Sequence, residues 1–389
     1  MQLRFIAMQD ATYPYRLGTD CSEHMIARLA AHEASSYVVV ADDTVAKLYG
    51  QDLVARIDSE VGRPAHLLSH GVGEPHKGLG TVESLARQAL ELGIDRRAIV
   101  VALGGGVTGN LAGLLAALLF RGVRLIHIPT SLVAIMDSVL SLKQAVNSQV
   151  GKNLIGTFYA PVEVLADTAM LRTLPPREIR SGMGEVVKNA LAIRPSMIDR
   201  LAGGLRADAC YDDDFLRFAI DESLTAKATV TRDDMHERRE GIVLEYGHTA
   251  GHAIEHASLG EVAHGAGVAI GMTIAAEVSR RLGHCDQDLV DLHRELVAAA
   301  GVEPAIPAHV DTALVHRWLS HDNKRGYLTD APLGHTPMVL LSAPGEVLTS
   351  DVQHVGPLPL VPVPLALLEE IVDDAAERGA RSAAAASSA

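Results

Sequence analysis

The run from Ala98 to Phe120 carries no charge across 23 residues, and a chain can bury such a run in few ways. It is long enough to cross a bilayer as one helix. However, Gly104, Gly105, Gly106, Gly109 and Gly113, with Asn110 among them, interrupt it, and glycine is poorly suited to a continuous helix interior. The run therefore reads as strand, glycine turn and helix. Ala98-Ile99-Val100-Val101-Ala102-Leu103 is an apolar stretch ending at glycine, the pattern of a parallel strand buried on both faces.

Two more runs share that pattern, Tyr37-Val38-Val39-Val40-Ala41 and Val123-Arg124-Leu125-Ile126-His127-Ile128 before Pro129. Between the first two strands, Val82, Leu85, Ala86, Ala89 and Leu90 fall at helical spacing within Thr81 to Leu92. Strands alternating with helices predict an α/β domain with a parallel, Rossmann-like sheet over residues 1–180. After Pro175-Pro176 the strand-like runs thin out and periods near 3.6 dominate, so residues 181–368 read as a mainly helical domain. Residues 369–389 end in Ala and Ser alone and read as a disordered tail.

Within the glycine turn, Gly104, Gly106 and Gly109 satisfy G-x-G-x-x-G. Such a turn lets the backbone approach a pyrophosphate held at the start of a helix. The acidic residue usually found about 20 positions later is missing, since position 129 is proline. Asp42, at the carboxyl end of the earlier strand, is a better ribose partner. The plainer readings are a glycine turn chosen for tight packing and an Asp that caps a turn.

Lys and Arg number 34 against 48 Asp and Glu, a net charge of −14. That balance argues against nucleic acid or an anionic membrane as partner, but not against a small phosphorylated ligand in a local cationic pocket. Cys21, Cys210 and Cys285 are far apart and form no Cys-x-x-Cys pair, which suggests neither a disulfide framework nor a thiolate zinc site. The first residues lack the apolar core of a secretory signal. A cytoplasmic protein is expected.

In Glu245-Tyr246-Gly247-His248-Thr249-Ala250-Gly251-His252-Ala253-Ile254-Glu255-His256, three histidines recur every four residues and share one helix face. His264 follows, and Glu185 is an isolated acid in Gly184-Glu185-Val186-Val187-Lys188. Two histidines and a carboxylate with open positions make a catalytic zinc-type site, and the spacing leaves open which histidines serve. Structural histidines are the alternative. Lys143 and Lys152 stand in uncharged surroundings, and Lys188, Lys227 and Lys324 are further candidates for phosphate contact. The alternative for each is a solvated surface lysine.

Taken in order, Gly73-Glu74-Pro75-His76-Lys77, GGGVTGNLAG, IPTSL, DSVLSLKQAVN, GKNLIG, the Leu-Pro-Pro-Arg-Glu stretch, EYGHTAGHAIE and HDNKRGY resemble the sugar-phosphate cyclase superfamily, whose best-known member is 3-dehydroquinate synthase. The resemblance covers most of residues 36–330. It implies a two-domain enzyme, usually a homodimer, that uses NAD and one divalent metal, Co²⁺ or Zn²⁺, and acts on a sugar phosphate. It implies Glu185, His248 and His264 as metal ligands, His252 as a proton-transfer or phosphate-contacting residue, and His256 as structural. NAD contacts would come from Asp42, Glu74, Lys77, Gly105, Gly106, Asn110, Thr130, Ser131, Lys152 and Thr173. Asp137, Lys143, Asn153, Lys188, Lys227 and Lys324 would line the substrate, and Arg121 would reach its phosphate, from a partner subunit where the enzyme is dimeric. Asn110 stands where the synthase has Asp.

The departures from that synthase are informative. It resembles DSSVGGKTAVN where this chain has DSVLSLKQAVN, and it places Arg and Asn where this chain has Gly241 and Glu245. Losing a guanidinium and gaining a carboxylate repels a carboxylated substrate. The resemblance then implies a branch whose substrate, glucose 6-phosphate, carries phosphate and no carboxylate, with Lys143 and Glu245 positioning hydroxyls and moving protons. A sibling cyclase, 3-dehydroquinate synthase included, a metal- and NAD-dependent polyol dehydrogenase, and a non-catalytic NAD-binding regulator are the alternatives.

Overall fold

The computed structural model describes every residue except positions 9, 10, 150, 321–323, 325, 329, 330, 388 and 389. The chain divides into two compact units, Met1–Leu174 and Pro175–Ala389, the break falling a few residues earlier than the sequence pattern suggested.

The first unit is built on a seven-stranded sheet, ordered edge to edge as Gln2–Met8, Ala11–Gly18, Glu163–Asp167, Arg124–Pro129, Ile99–Gly104, Tyr37–Asp42 and Ala65–His70. Only the outermost pair, Gln2–Met8 with Ala11–Gly18, is antiparallel. Alternate residues of the central strands feed two cores. Val38, Val40 and Val100 pack with Leu85, Leu111 and Leu115 on one face, while Tyr37, Val39 and Val101 pack with Leu29 and Ile126 on the other. Burial on both faces is why these strands read as unbroken apolar runs. The helices Leu79–Glu91 and Gly106–Leu118 lie where the spacing placed them.

Glu163 opens the strand that follows a long excursion from the sheet, and its side chain is fully buried. Arg16 Nε at 2.5 Å, His32 Nε2 at 2.7 Å and Arg28 Nε at 3.0 Å surround it. Burial alone would raise its pKa, but these partners outweigh that and bring it down to about 2.

The second unit is mainly helical, as expected. Its long helices are Pro176–Ala192, Asp213–Thr231, His248–Ala257, His264–Arg281 and Gln287–Ala299. Three small antiparallel ribbons between His335 and Pro364 have no counterpart in the sequence reading. The expected disordered tail is corrected: Leu365–Ser387 is one helix. Leu368, Ile371, Val372 and Ala375 are fully buried at helical spacing, and alanine, the strongest helix former, extends the helix past that anchor. Among the described residues no helix is long and apolar enough to cross a membrane, and the run from Ala98 is strand, turn and helix.

Candidate active site

Three helices of the second unit carry the metal-ligand candidates. Glu185 lies on Pro176–Ala192, His248 and His252 on His248–Ala257, and His264 opens His264–Arg281. Each of these residues has a glycine beside it in sequence, and each glycine touches a neighbouring backbone. A Cβ on Gly184 would lie 2.2 Å from the carbonyl oxygen of Gly265, one on Gly265 1.8 Å from that of Ser181, and one on Gly251 2.8 Å from that of Gly267. Gly247, at φ +78°, would meet the Val268 carbonyl oxygen at 2.6 Å. No methyl group fits at these positions without moving a backbone, so the helices approach closely enough for short side chains to converge.

They converge on one point. The rings of His248 and His252 are 5.0 Å apart between centres, those of His248 and His264 5.4 Å, and those of His252 and His264 5.6 Å. One nitrogen from each lies within 4.8 Å of the other two. Oε1 of Glu185 sits 3.4 Å from Nε2 of His264 and 3.8 Å from Nε2 of His248, and this buried oxygen makes no well-formed hydrogen bond. A buried carboxylate oxygen without a donor, facing imidazole nitrogens, is a position that a divalent cation satisfies. The donor set fits.

The far sides of the imidazoles are also held. Nδ1 of His248 lies 3.1 Å from the carbonyl oxygen of Tyr246, and Nδ1 of His264 lies 3.3 Å from Oε2 of Glu255. Those contacts place a proton on each Nδ1 and turn Nε2 inward. Glu255 stood within the histidine motif yet received no role in the sequence reading. Its signal was an acid seven residues after His248, back on the same helix face. Burial pushes the pKa of His248 down and that of His252 well down. Burial acts the same way on His264, but the carboxylates of Glu185 and Glu255 outweigh it and push its pKa up to about 10. His256 stacks on Trp318 with ring centres 4.5 Å apart, a packing role.

Lys188, Lys227 and Lys324 are each no more than 4% exposed, so the solvated-lysine reading fails for all three. Lys188 Nζ is 2.5 Å from Oε2 of Glu185, and with neighbouring His264 it offsets the burial of that carboxylate, whose pKa lies well below the usual range. Lys324 Nζ is 3.7 Å from Oε2 of Glu245. Four neighbours of Lys324 in its motif, positions 321–323 and 325, lie outside the described residues.

In the first unit, Gly105 precedes the helix Gly106–Leu118 without a side-chain cap. A Cβ on Gly105 or Gly106 would come no nearer than 3.4 Å and 3.7 Å to the Ser131 and Ser138 hydroxyls. Packing within the chain thus does not require glycine there, whereas a ligand lying against the backbone does, so these residues fit a dinucleotide phosphate. Thr130 N–H donates to the Gly104 carbonyl and Ser131 caps Leu132–Met136, which places both beside the turn.

Asn110 donates from Nδ2 to the Gly106 carbonyl and accepts from Ala145 N–H through Oδ1. An ionised Asp could not donate to the Gly106 carbonyl. A second group forms around Asn147, whose Nδ2 donates to Glu74 and whose Oδ1 accepts from Asn153 N–H, while Lys77 Nζ donates to Asn153 Oδ1 at 2.6 Å. Asn147 was quoted in a motif but given no role. Lys143 and Asn153 lie on the ribbon Lys143–Ser148 with Gly151–Phe158, which also carries Lys152, and Asp137 ends the helix Leu132–Met136.

Asp42 caps a helical turn, accepting from Thr44 and Val45 N–H through Oδ1 alone. Thr173 bonds the Tyr49 hydroxyl at 2.6 Å. Arg121 is not brought to the glycine turn. It is exposed at the far end of the 13-residue helix that begins there, about 20 Å away at 1.5 Å per residue.

Residues 68–181 match the family described as 3-dehydroquinate synthase N-terminal, and residues 182–325 match 3-dehydroquinate synthase C-terminal. A 2-deoxy-scyllo-inosose synthase of Streptomyces ribosidificus is 74% identical over 386 residues, covering 99% of this chain and 97% of its own length. A protein of the same name from Niallia circulans is 38% identical over 351 residues, covering 89% and 93%. A crystal structure of 2-deoxy-scyllo-inosose synthase complexed with carbaglucose-6-phosphate, NAD+ and Co2+ superimposes with a TM-score of 0.86 at 34% identity, covering 96% of this chain and 100% of that one.

Proposed function

The chain belongs to the 3-dehydroquinate synthase family, and from that premise we propose that it cyclises glucose 6-phosphate to 2-deoxy-scyllo-inosose with release of inorganic phosphate. This is a carbon–oxygen lyase reaction on a phosphorylated sugar, opening the route to 2-deoxystreptamine aminoglycosides. The observation that carries the reading is the Glu245 carboxylate near Lys324, preceded by Gly241. A carboxylate at position 245 repels a carboxylated substrate and offers an acceptor to the hydroxyls of a polyol. The near full-length likeness to synthases of this name supports the same substrate.

The reading assigns the metal to Glu185, His248 and His264, and NAD to the glycine turn with Asp42, Glu74, Lys77, Asn110, Thr130, Ser131, Lys152 and Thr173. When bound, NAD supplies reversible hydride exchange at carbon 4, and the metal supplies Lewis-acid polarisation of the oxygen on that carbon. Lys188 balances the charge of Glu185 and keeps that carboxylate ionised as a ligand.

The remaining steps are proton movements. Oxidation at carbon 4 acidifies the proton on carbon 5, and its removal lets phosphate leave carbon 6. After reduction at carbon 4 the ring opens, and the carbon 6 enolate attacks the carbon 1 aldehyde. His252, kept neutral by burial, has an imidazole lone pair free to accept a proton, and the Glu245 carboxylate takes and returns protons at the hydroxyls. Lys143, Asp137 and Asn153 hold sugar hydroxyls, while Lys188, Lys227 and Lys324 hold negative charge with Arg121. We assign the protein to the cytoplasm as a homodimer, a reading supported by its three free cysteines for the compartment and by the family resemblance for the dimer.

The test is to incubate purified protein with glucose 6-phosphate, NAD and Co²⁺ or Zn²⁺. Phosphate release and a carbocyclic ketone by mass spectrometry, without accumulation of NADH, are expected. Accumulation of NADH without phosphate release would indicate a polyol dehydrogenase. Turnover of a seven-carbon keto-acid phosphate but not of glucose 6-phosphate would overturn the assignment in favour of the sibling reaction.

A further inference from the structure

Between Glu245 and His248 stands Tyr246, a polar side chain with no part in the proposed chemistry. Its ring is fully buried in the second unit, as is that of His293 on the helix Gln287–Ala299. The two meet edge to face with centres 5.9 Å apart, and the Tyr246 hydroxyl lies 2.7 Å from Nε2 of His293. Nδ1 of His293 lies 2.7 Å from the Leu289 carbonyl oxygen, an atom that can only accept. Nδ1 therefore carries the ring proton, Nε2 accepts, and the Tyr246 hydroxyl donates. Burial pushes the His293 pKa down to about 4, so the ring stays neutral and the bond keeps one direction near neutral pH.

The main chain of Tyr246 serves both of its functional neighbours. Its N–H donates to the Val243 carbonyl at 3.0 Å, closing the turn Glu240–Glu245 that presents Glu245. Its carbonyl oxygen faces Nδ1 of His248 at 3.1 Å. Gly247 then turns at φ +78° and lies so close to the helix His264–Arg281 that a Cβ would meet the Val268 carbonyl oxygen at 2.6 Å. A single phenol–imidazole bond thus ties the helix Gln287–Ala299 to the stretch from which a proton carrier and a metal-ligand candidate both hang. Packing alone would be served by phenylalanine at 246 and leucine at 293, since the bond little more than offsets the desolvation of its two partners. What the bond adds is a fixed direction.

We propose that Tyr246 and His293 are positioning residues for the active site, their bond fixing the Tyr246 carbonyl against His248 and the main chain behind the Glu245 carboxylate. The inference rests on the assignment of His248 to the metal and of Glu245 to proton transfer. Without the bond the ring of Tyr246 stays buried but its main chain gains freedom. His248 then loses part of its orientation toward the cation position, and Glu245 loses part of its aim at the sugar hydroxyls.

The experiment compares the full chain with Y246F and Y246F/H293L in Co²⁺ affinity by chelator competition, in kcat and KM for glucose 6-phosphate, and in denaturant unfolding. Y246F should bind Co²⁺ about tenfold more weakly and lower kcat about tenfold with KM within about twofold of the parent. It also leaves Nε2 of His293 buried without a donor and should lose stability, which the double variant recovers by removing the orphaned acceptor. The double variant should nevertheless stay weak in Co²⁺ binding and slow in turnover, a combination that a purely structural bond would not produce. Co²⁺ affinity within about twofold of the parent in Y246F, or its recovery in the double variant, would overturn the proposal. Should Y246F not fold, the double variant decides. Co²⁺ affinity is read without substrate, so a parent that binds Co²⁺ but fails to turn over glucose 6-phosphate refutes the substrate assignment, and the Co²⁺ comparison then decides the positioning role by itself. A parent that binds no Co²⁺ overturns both.

Discussion

Oε2 of Glu255 lies 3.3 Å from Nδ1 of His264, while Nε2 of the same ring faces Oε1 of Glu185 at 3.4 Å. Glu255 therefore orients the imidazole without touching the cation position. Carboxylates in this relation to a ligand histidine strengthen metal binding by about 10- to 100-fold. Glu255→Gln should weaken Co²⁺ binding by that factor in a chelator competition. Unchanged affinity would remove Glu255 from the site.

Glu245→Gln keeps shape and removes the charge that accepts protons. It should retain NAD and metal binding, since Glu245 is not among the assigned ligands. The kcat should fall about 100-fold or more, the usual range for loss of a general acid or base. Activity equal to the parent would refute the proton-transfer role.

Gly265→Ala tests whether backbone contact builds the metal centre. The new methyl would sit 1.8 Å from the Ser181 carbonyl oxygen, which forces two helices apart. A loss of about 1–3 kcal/mol is expected in denaturant unfolding, together with weakened metal affinity, because His264 moves with its neighbour. Stability and affinity both matching the parent would show that the contact is slack.

Glu163 sets a pH dependence of stability in the first unit. Its folded pKa of about 2 lies below the ordinary 4.5, so its contribution is present above pH 4.5 and is lost as pH falls toward 2. The shift corresponds to about 3 kcal/mol. Glu163→Gln should be less stable near neutrality and should show a shallower decline than the parent between pH 4.5 and 2, measured by urea unfolding. Identical declines would mean that the Arg16, Arg28 and His32 contacts do not hold the carboxylate ionised.

What the sequence disclosed depended on how local each pattern is. The strands at Tyr37, Ile99 and Arg124 lie on unbroken apolar runs, and the glycine turn and the histidine face are spelled out by residues a few positions apart. The proposed metal ligands come from three separate helices. Their convergence was legible only through the family resemblance, since nothing in the spacing of Glu185, His248 and His264 reports that three backbones touch. The Asn147 group was hidden for the same reason, its partners being remote in sequence. The burial of Lys188, Lys227 and Lys324 was hidden too, because a lysine reads as exposed until its partner is known. The Ala- and Ser-rich end misled because low complexity suggested disorder, whereas helix propensity and the four buried side chains before it decided the outcome.

The glycines flanking Glu185, His248, His252 and His264 also bear on what ion binding has to move. Backbone packed on backbone leaves the three helices little freedom to shift singly. The four side chains should therefore stand at nearly the same separations before and after an ion enters, and binding should proceed without the ordering cost that a flexible site carries.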